Sequence, residues 1–331
     1  MATIKNVAQL SGVSTATVSR VINGLGGYSD KTREKVNLAI QELQFQRNEI
    51  ARSLIENRSK SIGVVMPNLS TDVANKIMEG IEDTSFKNDY MVLVAHAGIN
   101  LERLDISVTR LLERRVEGIV FLSTQITKPI VNQLDGAHVP YIVTGTFSDD
   151  RELYYPYVKI DDYQAAVDAT NLILNRGYRK IAILGGIKDD FVTSHFRVQG
   201  VHDTLKRRGV PYYPELTLQG SFSFEFGASA TNRLLSEKSE FDAIFCLSDE
   251  VASAAVQVLV RNGISVPRDI GVIGFDDSKT SLMSIPRLTT IHQPLNEIGV
   301  VATQKVIDAI KVHQGVDTEI FATKIVQRES L

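Results

Sequence analysis

From Ser61 onward the chain alternates short apolar runs with amphipathic stretches, and this alternation restricts its fold more than any other feature. The apolar runs are Ser61–Met66, Tyr90–Ala95, Gly118–Ser123, Pro140–Thr144, Val158–Asp161, Lys180–Gly185, Glu215–Gly220, Ala243–Ser248, Ile270–Phe275 and Thr289–His292. Their shortness and apolar content predict buried strands. Stretches of helical period separate most of them: Lys76–Asn88, Leu101–Arg115, Tyr163–Asn175, Val198–Arg208, Gly227–Ser236, Val251–Arg261 and Leu295–Val312. Such alternation predicts parallel, doubly wound sheets. A body of about 270 residues exceeds one such sheet, so two α/β lobes with a cleft between them are expected. Ligands of these sheets bind beyond the carboxyl ends of the strands.

The first sixty residues have a different texture. Thr3–Asn23 reads as two short helices broken at Ser11-Gly12, with Val7, Ala8, Val13, Val18 and Val21 as the apolar positions. Ala8 is small where two helices cross, and Gly12 suits a turn with positive φ. Ser14 is placed to cap the second helix, which turns Thr15, Ala16 and Arg20 outward. A third helix is expected from about Asp30 to Leu43, with Val36, Leu38, Ile40 and Leu43 available for packing. Two readings fit: an all-α helix-turn-helix headpiece that lays its second helix in a major groove, and an ordinary N-terminal helical hairpin.

Charge separates the same two regions. Residues 1–60 hold nine Lys or Arg and five Asp or Glu, a net +4, so with −3 overall the remainder carries −7. A cationic head on an anionic body suits a protein that presents one end to phosphates. No apolar run reaches the ~18 residues of a membrane span. The polar N-terminus does not resemble a signal peptide, so a cytoplasmic protein is expected. The single cysteine, Cys246, lies in an apolar run, which predicts a buried structural thiol and rules out an internal disulfide. No phosphate loop, nucleophile elbow or His-Glu-x-x-His pair occurs, and the six histidines are scattered. Catalysis, a bound metal and a cofactor are therefore not expected. Between head and body, Asn48–Glu56 fits either a helix with Ile50, Ala51, Leu54 and Ile55 on one side, too short to stand alone in water, or a flexible linker with an accidental apolar stripe.

Several runs in fixed order resemble the LacI/GalR family of bacterial transcription regulators from end to end. They are Ile4–Ala8, Val13–Asn23, Ala51–Leu54, Ser61–Val65, Arg114–Ile119, Arg197–Gly200, Val266–Ile270, Ile273–Asp277 and Leu288–Pro294. The resemblance implies a repressor released from a near-palindromic operator by a small carbohydrate or sugar phosphate. It implies a homodimer, with a tetramer possible, and a body like periplasmic sugar-binding proteins. The implied divisions are a headpiece at 1–46, a hinge helix at 47–60 and an effector-binding and dimerisation domain at 61–331. One lobe of that domain is about 61–160 plus 291–321, and the other about 161–290 plus 322–331.

By the same resemblance Thr15, Ala16 and Arg20 read bases, while Ser14, Ser19 and Asn23 touch phosphate or cap helices. An arginine here donates two bonds to guanine, worth ~1–3 kcal/mol of discrimination. Leu54, beside Ala51, takes the position of a wedge that kinks the duplex at the minor groove. Thr193, Arg197, Phe222, Ser248, Asp249 and Asp276 surround the effector, and a guanidinium with carboxylates suits adjacent hydroxyls. Val73 and Ala74 replace the aromatics of nucleobase-binding members, which counts against a purine. Thr146 replaces a common carboxylate, and Ser248 a frequent asparagine. Gln304 stands where catabolite control proteins carry an arginine for a protein corepressor, which favours a local, effector-controlled regulator over a global one. A corepressor-dependent repressor or an activator would use the same parts with the opposite sign.

A DNA-reading head makes a measurable demand. In gel-shift titrations the full-length protein should protect a palindromic site, and log affinity should fall steeply and linearly with log salt concentration. A flat salt response would mean that the cationic head does not face phosphates.

Overall fold

The computed structural model describes residues 2–45, 58–67, 71–98, 100–148, 150, 152–188, 190, 192–312 and 314–331. The chain forms two compact units, Met1–Ser59 and Lys60–Leu331.

The described part of the first unit is three helices: α1 (Ile4–Ser11), α2 (Thr15–Asn23) and α3 (Asp30–Glu42). Each begins on a side-chain cap. Thr3 and Asn6 form a reciprocal capping box at α1, and Ser14 and Ser29 accept from the Thr17 and Thr32 amides at α2 and α3. Gly12 ends α1 at φ 66°, which fits the break expected there. The core is small: Val7, Ala8, Val18, Val21, Val36 and Ala39. Leu38 departs from expectation and is 64% exposed. The inward stripe of α3 runs through Val36, Ala39, Ile40 and Leu43, spaced i, i+3, i+4, i+7, which turns Leu38 to the opposite face.

The second unit holds two six-stranded sheets. The first contains β1 (Ser61–Met66), β2 (Met91–His96), β3 (Gly118–Leu122), β4 (Tyr141–Thr144), β5 (Tyr157–Ile160) and β11 (Glu319–Phe321), in the order β2-β1-β3-β4-β5-β11, all parallel. The second contains β6 (Ile181–Leu184), β7 (Thr217–Leu218), β8 (Ala243–Cys246), β9 (Gly271–Asp276), β10 (Thr289–His292) and β12 (Lys324–Val326), in the order β7-β6-β8-β9-β10-β12. Among the described residues its one antiparallel pair is β10 with β12. The intervening helices are α4 (Asp72–Lys87), α5 (Leu104–Glu113), α6 (Lys128–Gly136), α7 (Asp162–Asn175), α8 (Thr193–Arg207), α9 (Phe224–Ser236), α10 (Asp249–Arg261), α11 (Lys279–Met283) and α12 (Leu295–Val312). Three crossovers join the sheets: β5 to α7, β10 to α12 and β11 to β12.

Three local departures have physical causes. The expected strand Glu215–Gly220 shrinks to Thr217–Leu218, because Pro214 opens a 3-10 turn over Pro214–Leu216. Helix α8 begins at Thr193, five residues before expectation, because the Asp190 carboxylate caps it. Its Oδ1 accepts the Val192 and Thr193 amides, and its Oδ2 accepts the Ser194 amide and hydroxyl. The short strands β11 and β12 arise where no apolar alternation signals them.

Helices α4 and α12 cross backbone to backbone. A β-carbon on Gly299 would lie 2.1 Å from the Ile77 carbonyl oxygen, and one on Gly80 would lie 2.2 Å from the Asn296 carbonyl oxygen. Gly299→Ala should therefore lower the urea-unfolding free energy by roughly 3 kcal/mol, the upper end of overpacking losses. That loss outweighs the ~1 kcal/mol gain in helix propensity. Gly136→Ala, which meets nothing within 4 Å, should be neutral or stabilising in the same measurement.

Candidate functional site

The outward face of α2 carries Thr15, Ala16 and Arg20, all exposed, with Val18 and Val21 buried behind them. Among the described residues no carboxylate pairs with Arg20. The Ser14 hydroxyl is spent on its cap, accepting the Thr17 amide at 3.1 Å. Asn23 Nδ2 donates to Ser19 Oγ at 3.2 Å. Ala51 and Leu54 lie outside the described residues.

In the second sheet the chain order reverses between β6 and β8, the switch point at which doubly wound sheets leave a crevice. Five of the six residues expected to surround an effector follow from this. Thr193 and Arg197 lie on α8, after β6. Ser248 and Asp249 open α10, after β8. Asp276 ends β9. Phe222, half-buried beside α9, joins them because its carbonyl accepts from the Ser248 hydroxyl at 2.8 Å. That hydroxyl also caps α10 by accepting the Val251 amide.

Arg197 is 5% exposed and already heavily engaged. Its Nε donates to Asp162 Oδ1 at 3.0 Å and its Nη1 to the Leu247 carbonyl at 2.7 Å. Its guanidinium carbon lies 3.5 Å from the centre of the Phe275 ring. Asp162 Oδ2 meets Lys159 Nζ at 3.0 Å, so a buried cation–anion–cation row runs through the first crossover. Asp249 is fully buried. Its Oδ2 accepts the Ser278 amide and hydroxyl, and its Oδ1 accepts the Thr290 hydroxyl at 2.6 Å. Asp276 accepts from Gln293 Nε2 at 2.6 Å. Asp276 and Asp277 both have positive φ, 112° and 53°, a backbone cost of about 1–3 kcal/mol each. Arg328 and His292 hold Asp277 in place, and Lys76 of α4 donates to its carbonyl at 3.2 Å.

Sequence reasoning missed Lys159, Asp162, Asp190 and Gln293. Asp162 follows a strand ending at Ile160, and Gln293 follows one ending at His292, so both occupy strand-to-helix corners where ligands gather. That position was the available signal. Among the described residues no group of His, Cys, Asp or Glu could hold a metal ion, and no helix is long and apolar enough to cross a membrane.

Residues 59–328 match the family described as periplasmic binding proteins and sugar binding domain of LacI family, and residues 3–48 match bacterial regulatory proteins, lacI family. The chain belongs to the LacI family. It is a DNA-binding transcriptional regulator, not an enzyme. Similar curated proteins include the transcriptional regulator RegA of Clostridium saccharobutylicum, 31% identical over 99% of this chain and 98% of that protein. Catabolite control protein A of Priestia megaterium is 31% identical over 91% of this chain and 90% of its own. The repressor CytR of Escherichia coli is 30% identical over 99% and 96%. Among solved structures, the Lac repressor dimer bound to operator and the anti-inducer ONPF aligns with a TM-score of 0.89 at 26% identity, covering 99% of this chain and 98% of that one.

Burial dominates the electrostatics of this regulator's two inner carboxyls. It pushes the Asp249 carboxyl up to about 6, against the hydrogen bonds from Thr290 and Ser278 that favour its charged form. Burial, with the Asp249 charge adding to it, holds Asp276 well above the usual carboxylate range, and Arg197 opposes. A carboxyl whose folded pKa is raised stabilises the fold fully below its unfolded value near 3.8 and loses that contribution as pH rises through about 6. The thermal midpoint of the wild type, relative to Asp249→Asn, should therefore fall between pH 4 and pH 7 and level off above. A pH-independent difference would mean that Asp249 titrates normally.

Proposed function

We propose that this protein is a repressor whose affinity for a near-palindromic operator is set by a small carbohydrate or sugar phosphate held between the lobes of residues 60–331. What carries this reading is the convergence of one guanidinium and two carboxyls, all buried, at the switch point of the second sheet. Arg197, Asp249 and Asp276 offer two-bond partners for adjacent hydroxyls, and the Phe222 ring suits a C–H face. The solved relatives include a CelR–cellobiose complex, a Lac repressor bound to ONPG and a family member with bound ribose. Thr15, Ala16 and Arg20 act as base readers, Ser14, Ser19 and Asn23 as phosphate or capping residues, and Ala51 and Leu54 as minor-groove contacts. The protein acts in the cytoplasm.

The working unit is a homodimer. Phe86, Met91 and Ile106 leave large apolar side chains exposed around the edge strand β2, and Leu282, Met283 and Ile285 do so beside α11. Exposed apolar groups in such number favour association. Gln304 supports control by a small molecule. Its amide is engaged within the chain, accepting from Asn88 at 3.4 Å and donating to Asp308 at 2.8 Å. The effector alters the relation of the lobes and with it the spacing of the two heads on the operator; the hinge helix expected at 47–60 falls largely outside the described residues. Moving operator occupancy from 99:1 to 1:99 requires a preference of ~5.5 kcal/mol for the released state.

The test selects an operator with the full-length protein and titrates sugars and sugar phosphates against the complex by fluorescence anisotropy. One sugar should release the wild type. Arg197→Ala and Asp276→Asn should still bind operator but need at least about tenfold more of it, the loss of ~1.4 kcal/mol of binding. Release unchanged in both variants, or release by no carbohydrate, overturns the proposal.

A further inference from the structure

The turn between α2 and α3 is unusually rich in glycine: Gly24, Gly26 and Gly27, with φ of 65°, 69° and 76°. Gly24 ends α2, its amide reaching back to the Arg20 and Val21 carbonyls. Gly26 and Gly27 share the same left-handed backbone, which favours glycine at both. Their surroundings differ. A β-carbon on Gly26 would meet nothing within 4 Å. A β-carbon on Gly27 would lie 3.0 Å from Arg20 Nη1 and 3.8 Å from its Cζ. The guanidinium of Arg20 thus lies against Gly27, closer than a side chain at that position would leave comfortable.

We propose that Gly27 is a specificity-determining residue of the DNA-reading face: its missing side chain forms the seat on which the Arg20 guanidinium lies before it meets a base. The inference rests on Arg20 being a base reader. A long, exposed side chain loses rotamer freedom when it binds, and a seat that confines it beforehand reduces that loss. A methyl group at position 27 crowds Nη1, so the guanidinium must shift by a few tenths of an ångström from this seat. A methyl group at position 26 imposes the same backbone strain and leaves the seat intact. Gly27 touches no base itself; it acts through the placement of Arg20.

The full-length protein, as wild type, R20A, G26A and G27A, is titrated against a set of duplexes in which each half-site position is replaced in turn. The quantity read is the ratio of affinities for two duplexes within one variant, which cancels any loss of folded protein. R20A should flatten the preference at one position, identifying the base it reads. G27A should weaken the preference at that same position by at least about threefold, part of the roughly 5- to 150-fold that a two-bond arginine–guanine contact supplies. G26A should leave it within about twofold, the ordinary spread of a surface change. If G27A and G26A behave alike, or if G27A weakens every position equally, the seat plays no part in specificity and the proposal fails. If R20A changes no preference, the base-reader assignment fails first, and the proposal with it.

Discussion

One buried guanidinium holds the ligand-binding half of this molecule together. Arg197 bonds the Asp162 carboxylate at the start of α7, the Leu247 carbonyl at the end of β8, and the face of Phe275 in β9. These groups come from three separate stretches of chain that meet only in the folded second lobe. Removing one member of a buried ion pair typically costs 3–5 kcal/mol, because the other charge is left unpaired. Asp162 also binds Lys159 of β5, so the same carboxylate ties a residue of the first sheet to helix α8, which packs in the second lobe. The acidic groups beside it take their hydrogen bonds from neutral donors. Asp276 accepts an amide from Gln293, and Asp249 takes two hydroxyls and a backbone amide.

Much of this was legible in the residues, and the failures have identifiable causes. Helix caps and strand periodicity are local, so Ser14, Gly12 and the run Thr289–His292 could be read directly. Leu38 was misplaced because apolar character was counted without its angle around the helix. Helix α8 starts before its apolar period does because its cap, Asp190, sits in a loop that carries no periodic signal. The strands β11 and β12 carry charged and polar side chains such as Glu319 and Lys324, and they become strands by pairing with β5 and β10. At the cleft, Arg197 and Asp249 could be chosen by type and by resemblance. For Asp162 and Gln293 the only local signal is their place just after a strand, because what they do depends on partners more than a dozen residues away.

The head and the body follow different physical rules. The head is a minimal apolar core of mostly valine and alanine, with its ends fastened by side-chain caps. So few buried atoms leave little margin, and each cap contributes about 1 kcal/mol of what there is. The body buries two large sheets and tolerates an expensive polar centre. Strain at Asp276 and Asp277 persists there because Gln293, Arg328 and His292 hold the loop from three directions.

The three crossovers have a mechanical consequence. Two bodies joined by a single tether tumble freely, and two tethers still allow a wide swing. With three adjacent tethers sliding is blocked, and what remains is a bend or twist about the bundle of strands. β5, β10 and the β11–β12 tail therefore act as a leaf spring rather than a string. A molecule held between the lobes biases that bend only by as much as it binds one arrangement better than the other.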